Sequence, residues 1–118
     1  QPPSWIFGVV WSTIYLLYGT FLYILLQQRK QMPHQLFVWN VVLWTINLLV
    51  NLAWPPVVFE HHQYTWGVYM IVVLIGTLVA LMISNPSVLG RNLLVPYITW
   101  LILALLLNVE LVKRTSKK

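Results

Sequence analysis

The sequence has no cysteine and no aspartate, and its only acidic residues are Glu60 and Glu110. Without cysteine there are no disulfides, no thiolate metal sites and no cysteine nucleophile. Both glutamates lie at the ends of apolar runs, which leaves no carboxylate pair for acid and base chemistry, and no serine has a paired base by sequence. Charge of either sign is scarce, with Lys, Arg, Asp and Glu together at 8% against the usual quarter of a soluble domain. No segment shows the polar outer face that a helix of a soluble bundle needs, so that class is set aside. There is also no basic segment followed by a small-residue cleavage site, so no signal peptide is expected. Internal repeats and low-complexity linkers are missing as well.

What remains is apolar. Hydrophobic residues make up 59% of the 118 positions. The charges fall at Arg29 and Lys30, Glu60, Arg91 and from Glu110 onward, leaving uncharged runs between them. A membrane-spanning helix needs about 20 mostly apolar residues. The spacing therefore predicts an all-α integral membrane helical bundle with four transmembrane helices, at about 5–28, 36–58, 64–84 and 93–112. These form a single transmembrane domain, 1–118, with a basic tail at 113–118. The net charge of +5 comes mainly from that tail, which suits a cytoplasmic segment near anionic headgroups rather than nucleic acid. Arg29, Lys30 and Arg91 lie on the opposite side, so four basic residues against three bias the orientation only weakly.

Periodicity adds faces to these spans. Asn40, Trp44, Asn47, Asn51 and Trp54 recur at helical spacing, forming one polar and aromatic stripe on a Leu, Val and Ile background. Trp11, Tyr15 and Tyr18 form an aromatic face on the first span, and Tyr97, Trp100, Ala104, Asn108 and Leu111 a stripe on the last. On the third span Tyr69, Val73, Gly76 and Ala80 align, and the Gly76/Ala80 pair favours close helix contact within the subunit or across a dimer. Pro55 ends or kinks the second span, Asn85 to Ser87 is a turn signal, and Gly90 to Asn92 reads as a loop.

Ring faces with a few placed polar groups suit a planar, largely apolar ligand. A competing explanation is the interfacial aromatic belt, which suits Trp5, Trp39, Trp54 and Trp66 near span ends. For Asn40 and Asn47 the favoured reading is hydrogen bonding between helices, while Asn51 and Asn108 suit both roles. His61 and His62 read as a solvated turn: adjacent histidines project to different sides and no third metal ligand has suitable spacing.

Three segments together resemble the translocator protein family, also called tryptophan-rich sensory proteins (TspO). The first comprises Pro2, Pro3, Trp5, Phe7, Gly8, Trp11 and Tyr15. The second is Asn51, Ala53, Trp54, Pro55, Pro56 and Phe59, and the third Pro96, Tyr97 and Trp100 with Ala104 and Asn108. Trp66 also has a counterpart. The family has five membrane helices, and the matched segments correspond to the last four. The resemblance implies a helical bundle, commonly a homodimer in contact with membrane lipid. It lies in a bacterial cell membrane, or in the mitochondrial outer membrane of a eukaryote.

Within that family the implied function is a receptor or sensor for porphyrins (tetrapyrroles) and related flat hydrophobic ligands, involved in their transport or regulation. No cofactor is required, and although light-dependent porphyrin breakdown has been attributed to the family, no enzymatic activity is expected of this chain, which shows no catalytic set. The implied ligand-binding residues are Pro2, Phe7, Trp11, Tyr15, Asn51, Trp54, Trp100, Ala104 and Leu107, with the loop from Pro2 to Trp5 as a lid. Met70 stands where the family often has an acid. Val109 and Glu110 stand where the animal cholesterol motif needs aromatic residues, so cholesterol recognition at the tail is not expected.

Two other classes fit the outline. A small multidrug exporter has a similar length and span count, but it couples transport through a carboxylate within a span, and the first span here has none. A purely structural membrane subunit would use the aromatic stripes for packing alone.

Overall fold

The computed structural model describes residues 4–116, and the side chains of Ser4, Phe7 and Ser116 are outside that description. Helix α1 runs Ser4–Gln27, α2 His34–Pro55, α3 Tyr64–Ser84, α4 Val88–Leu93 and α5 Val95–Ser116, with a π-helical turn Pro56–Glu60 continuing α2. No strand occurs among the described residues. The helices form an elongated bundle of 54 × 26 × 19 Å, and four segments are long and apolar enough to cross a membrane.

The inner face of each helix is a stripe of three- and four-residue steps. On α1 it is Ile14, Tyr18, Phe21 and Leu25, on α3 Gly67, Ile71, Leu74, Leu78 and Leu81, and on α5 Tyr97, Leu101, Ala104 and Asn108. The buried residues of α2 are Asn40, Asn47, Asn51 and Trp54. This helix is inverted relative to a soluble one, with its amides inward and Val42, Ile46, Leu49 and Leu52 exposed. Lipid offers no hydrogen-bond partner, so an intramembrane amide is stable only where another helix supplies one.

The third span narrows an expectation. Tyr69 and Val73 are 60% and 44% exposed, and a Cβ built on Gly76 meets nothing. Tyr69, Val73 and Gly76 therefore face outward with Ala80 part-buried beside them, so of the two contacts expected for the Gly76/Ala80 pair the one within the subunit is not made, and the one across a dimer is the arrangement an outward face leaves open. Every face of α3 is apolar, so hydrophobicity alone could not tell its inner stripe from its outer one.

The last two segments differ from the expected boundaries. The Asn85 side chain accepts from the Ser87 backbone N–H at 2.9 Å, and Ser87 Oγ accepts from Gly90 N–H at 3.0 Å. This cap starts α4 at Val88, so Gly90 to Asn92 is helix rather than loop. At Gly90 a Cβ would stand 3.0 Å from Asn85 Oδ1 and 3.4 Å from Phe21, so glycine lets α4 lie close to α1. Pro96 has no N–H to continue the ladder of α4, and the chain breaks at Leu94 before α5 begins. Lys113 and Arg114, expected in a tail, belong to the last turns of α5, where positive charge suits the helix dipole. At Pro55, where an end or a kink is expected, the α-helix ends. The chain then widens into the π-helical turn, closed by His61 N–H to Pro56 O at 3.0 Å.

Candidate ligand-binding site

Trp11 sits at the centre of an aromatic cluster drawn from three helices. Its indole stacks with Tyr15 one turn later on α1, at 5.9 Å between centroids and 26° between planes. It lies tilted against Trp54 of α2 at 6.3 Å and meets Trp100 of α5 edge-on at 5.9 Å. Phe59 of the π-helical turn closes the far side of Trp54 at 5.5 Å. Offset and edge-on pairs of this kind contribute about 0.5–1.5 kcal/mol each beyond their area.

Trp54 is 2% exposed and forms the floor of the cluster rather than its rim. Its indole N–H donates to Asn108 Oδ1 at 3.1 Å, and Asn108 Nδ2 donates to the Tyr64 carbonyl at 2.7 Å. That junction depends on Gly67, where a Cβ would run into Asn108 Oδ1 and Val58 Cγ2. Ala104 packs in the same small core as Trp54, Val58 and Ile71, beside Trp11. Leu107 is part-buried one turn further along α5.

Beside the rings lies a chain of polar side chains. The Tyr15 hydroxyl donates to Asn51 Oδ1 at 2.8 Å, and Asn51 Nδ2 donates to the Tyr97 oxygen at 2.7 Å. Tyr97 in turn donates to Asn47 Oδ1 at 2.6 Å, and Asn47 Nδ2 reaches Leu74 O at 3.0 Å and Thr77 Oγ1 at 2.9 Å. The chain runs from α1 to α2, across to α5, back to α2 at Asn47 and on to α3. Asn51 is buried with both amide atoms engaged, so Tyr15 stands between it and anything approaching from outside.

Of the residues expected at the site, the structure gathers Trp11, Tyr15, Asn51, Trp54, Trp100 and Ala104 into one neighbourhood. Pro2 and Pro3 lie outside the described residues, as does the Phe7 side chain, whereas Ser4 and Trp5, expected in the lid loop, begin helix α1. Trp100 also lines an outer groove of about 370 Å³ between α1 and α5, with Val10, Thr13 and Thr99 among its walls. Both threonine hydroxyls are turned back to their own helices, bonding Val9 O and Val95 O.

The expected set omitted Tyr97, Asn47, Gly67 and Tyr64. Tyr97 and Asn47 were visible as polar positions on inward stripes, whereas Gly67 carries no signal without the position of Asn108. Trp44 belongs elsewhere: it stacks on Tyr18 at 4.8 Å and 7°, donates to Tyr18 O at 3.1 Å, and its own carbonyl accepts from the Tyr18 hydroxyl at 2.8 Å. This reciprocal pair fastens α1 to α2. Asn40 likewise fastens α2 to α3, through Nδ2 to Ser84 Oγ at 3.1 Å.

Among the described residues no charged side chain joins the cluster. Glu60 and Glu110 are exposed, and the His62 ring shares a 3.0 Å hydrogen bond with the Tyr64 hydroxyl. Among the described residues no group of three histidines or carboxylates gathers to hold a metal. The site can offer ring faces, a shape and a few oriented dipoles.

Comparison with known proteins agrees with this architecture. A model of the TspO/MBR family matches residues 1–114. The chain is 31% identical to the human translocator protein over 92% of its own length and 64% of the human protein's. It is 31% identical to protein CrtK of Rhodobacter capsulatus over 91% of the chain and 67% of that protein. To the tryptophan-rich protein TspO of Chlorobaculum tepidum it is 32% identical, over 96% of the chain and 72% of the relative. The chain thus spans about two thirds of the length of the curated relatives it matches. With four apolar segments able to cross a bilayer and a family match along nearly its whole length, the chain belongs to the TspO/MBR family of integral, multi-pass membrane proteins.

Proposed function

We propose that this chain is a membrane receptor or sensor that binds porphyrins and related flat hydrophobic ligands by stacking on the aromatic cluster around Trp11. The observation that carries the proposal is the meeting of Trp11, Tyr15, Trp54 and Trp100 from three helices in an uncharged setting. A tetrapyrrole is planar and apolar over most of its area, so ring faces supply the contact it needs. Trp54 and Ala104 support the platform from beneath, and Tyr15 carries its polar edge. A homodimer is part of the same proposal and rests on the family resemblance.

Binding and signalling, rather than catalysis, is the activity this arrangement serves. Its polar groups are amides, hydroxyls and indoles, none of which is a general base, and the human relative is named a translocator protein. An exporter reading has no support from a carboxylate in the first span, and Glu60 and Glu110 are exposed near span ends.

Titration of the chain in detergent with protoporphyrin tests the proposal. Saturable quenching of tryptophan fluorescence is expected, weakened in Trp100→Ala. Non-saturable quenching, unchanged in that variant, would remove the site. Proton-driven antiport of a porphyrin in liposomes would favour the exporter instead.

A further inference from the structure

We infer that the polar edge of the site is a hydrogen-bond acceptor, the Tyr15 oxygen, which selects flat aromatic ligands carrying an N–H or O–H donor on their rim. The inference rests on the proposed stacking site and narrows the ligands it takes.

The direction of the polar chain is forced from its far end. The Leu74 carbonyl can only accept, and it lies 3.0 Å from the Asn47 amide. Asn47 must therefore turn Nδ2 toward it, which leaves Oδ1 facing Tyr97 at 2.6 Å. The Tyr97 hydroxyl spends its single proton there, so its oxygen accepts from Asn51, whose Nδ2 lies 2.7 Å away. With Nδ2 so placed, Asn51 Oδ1 faces Tyr15 at 2.8 Å and takes the Tyr15 proton. Reversing Asn47 would set its Oδ1 against the Leu74 carbonyl, acceptor against acceptor, and reversing Asn51 would set its Oδ1 against a Tyr97 oxygen whose proton is already given to Asn47.

Tyr15 is the open end of this chain. It is 36% exposed, and its ring stacks with Trp11, so a molecule lying on that pair meets the hydroxyl at its margin. The proton is already donated inward, and the oxygen presents lone pairs only. A rim N–H completes the chain. A rim carboxylate or ether oxygen meets lone pairs and gains nothing. A macrocycle whose only rim polar groups are carboxylates must point them elsewhere, whereas the lactam N–H groups at the ends of an open-chain tetrapyrrole fit the acceptor.

Carbazole and N-methylcarbazole test this, since both are flat and fused and differ only in the rim N–H. Each is titrated into the detergent-solubilised chain and into Tyr15→Phe, reading the protein-dependent change in tryptophan fluorescence. The parent is expected to bind carbazole about three- to tenfold more tightly. In Tyr15→Phe that preference disappears, the ratio of the two affinities taken within that protein falling to about one, while a retained helical circular dichroism spectrum reports an intact fold. Equal affinities in the parent, or a preference that survives in Tyr15→Phe, would overturn the acceptor assignment and leave the stacking site standing. No saturable binding of either compound would overturn the stacking site and this inference with it.

Discussion

The indole N–H of Trp54 reaches across the bundle to Asn108 Oδ1 at 3.1 Å, and Gly67 is the residue whose missing side chain makes room for that contact. A tryptophan buried in a membrane bundle needs a partner for its one polar atom. Asn108 is that partner, and its own amide is fixed by the Tyr64 carbonyl. Gly67→Ala should therefore act at a distance, displacing Asn108 and loosening Trp54. Overpacking of this kind costs about 1–3 kcal/mol. Thermal unfolding in detergent checks the loss of stability, and a shift in tryptophan emission reports the freed indole.

Tyr97 is the hinge of the polar chain, accepting from Asn51 and donating to Asn47. Tyr97→Phe strands a buried donor and a buried acceptor together, whereas Tyr15→Phe strands one acceptor. Each orphaned group costs about 1–3 kcal/mol in a soluble core, and membrane measurements run lower, near 0.6 kcal/mol on average. Tyr97→Phe should thus be the more destabilising of the two. Because the partners form one network, Tyr97→Phe and Asn47→Leu should not add, and a double-mutant cycle measures the coupling.

Trp44 separates structure from binding. Its bonds go to Tyr18, and it has no part in the cluster around Trp11. Trp44→Phe keeps a ring for stacking but removes the donor to Tyr18 O. Faster hydrogen exchange at the α1 end of the α1/α2 contact is expected, with porphyrin affinity within twofold of the parent, about 0.4 kcal/mol. A parallel fall in affinity would place Trp44 in the site.

Salt should have little effect on ligand affinity, because among the described residues no charged side chain joins the aromatic cluster. Raising ionic strength from about 0.1 M to about 1 M shortens the screening length from roughly 10 to 3 Å. Quenching titrations at the two strengths should give affinities within about twofold. A strong salt dependence would point to Lys113 and Arg114, or to Arg29 and Lys30, as the binding groups.

Much of this was legible in residue order, and what was not has physical causes. Four spans followed from scarce charge, and the inward stripe of α2 from amides that lipid cannot satisfy. Trp11, Tyr15 and Trp100 could be placed in a shared site by resemblance, although their mutual geometry could not. Which of the two contacts the Gly76/Ala80 pair of α3 would make was not legible, because its inner and outer stripes are both apolar. Gly90 read as a loop because its close approach to Asn85 and Phe21 is a tertiary fact, and the same holds for Gly67 against Asn108. The direction of the Tyr15 to Asn47 chain depends on a backbone carbonyl of α3, which no residue type announces.

The central claim is that flat ligands stack on Trp11, and its most direct measurement is equilibrium binding of protoporphyrin to the parent and to Trp11→Leu in matched detergent. Trp11 contributes a ring to three aromatic contacts, so its removal should weaken binding by tenfold or more, about 1.4 kcal/mol, while the helical circular dichroism spectrum is retained. An unchanged affinity in a folded Trp11→Leu protein would contradict the account.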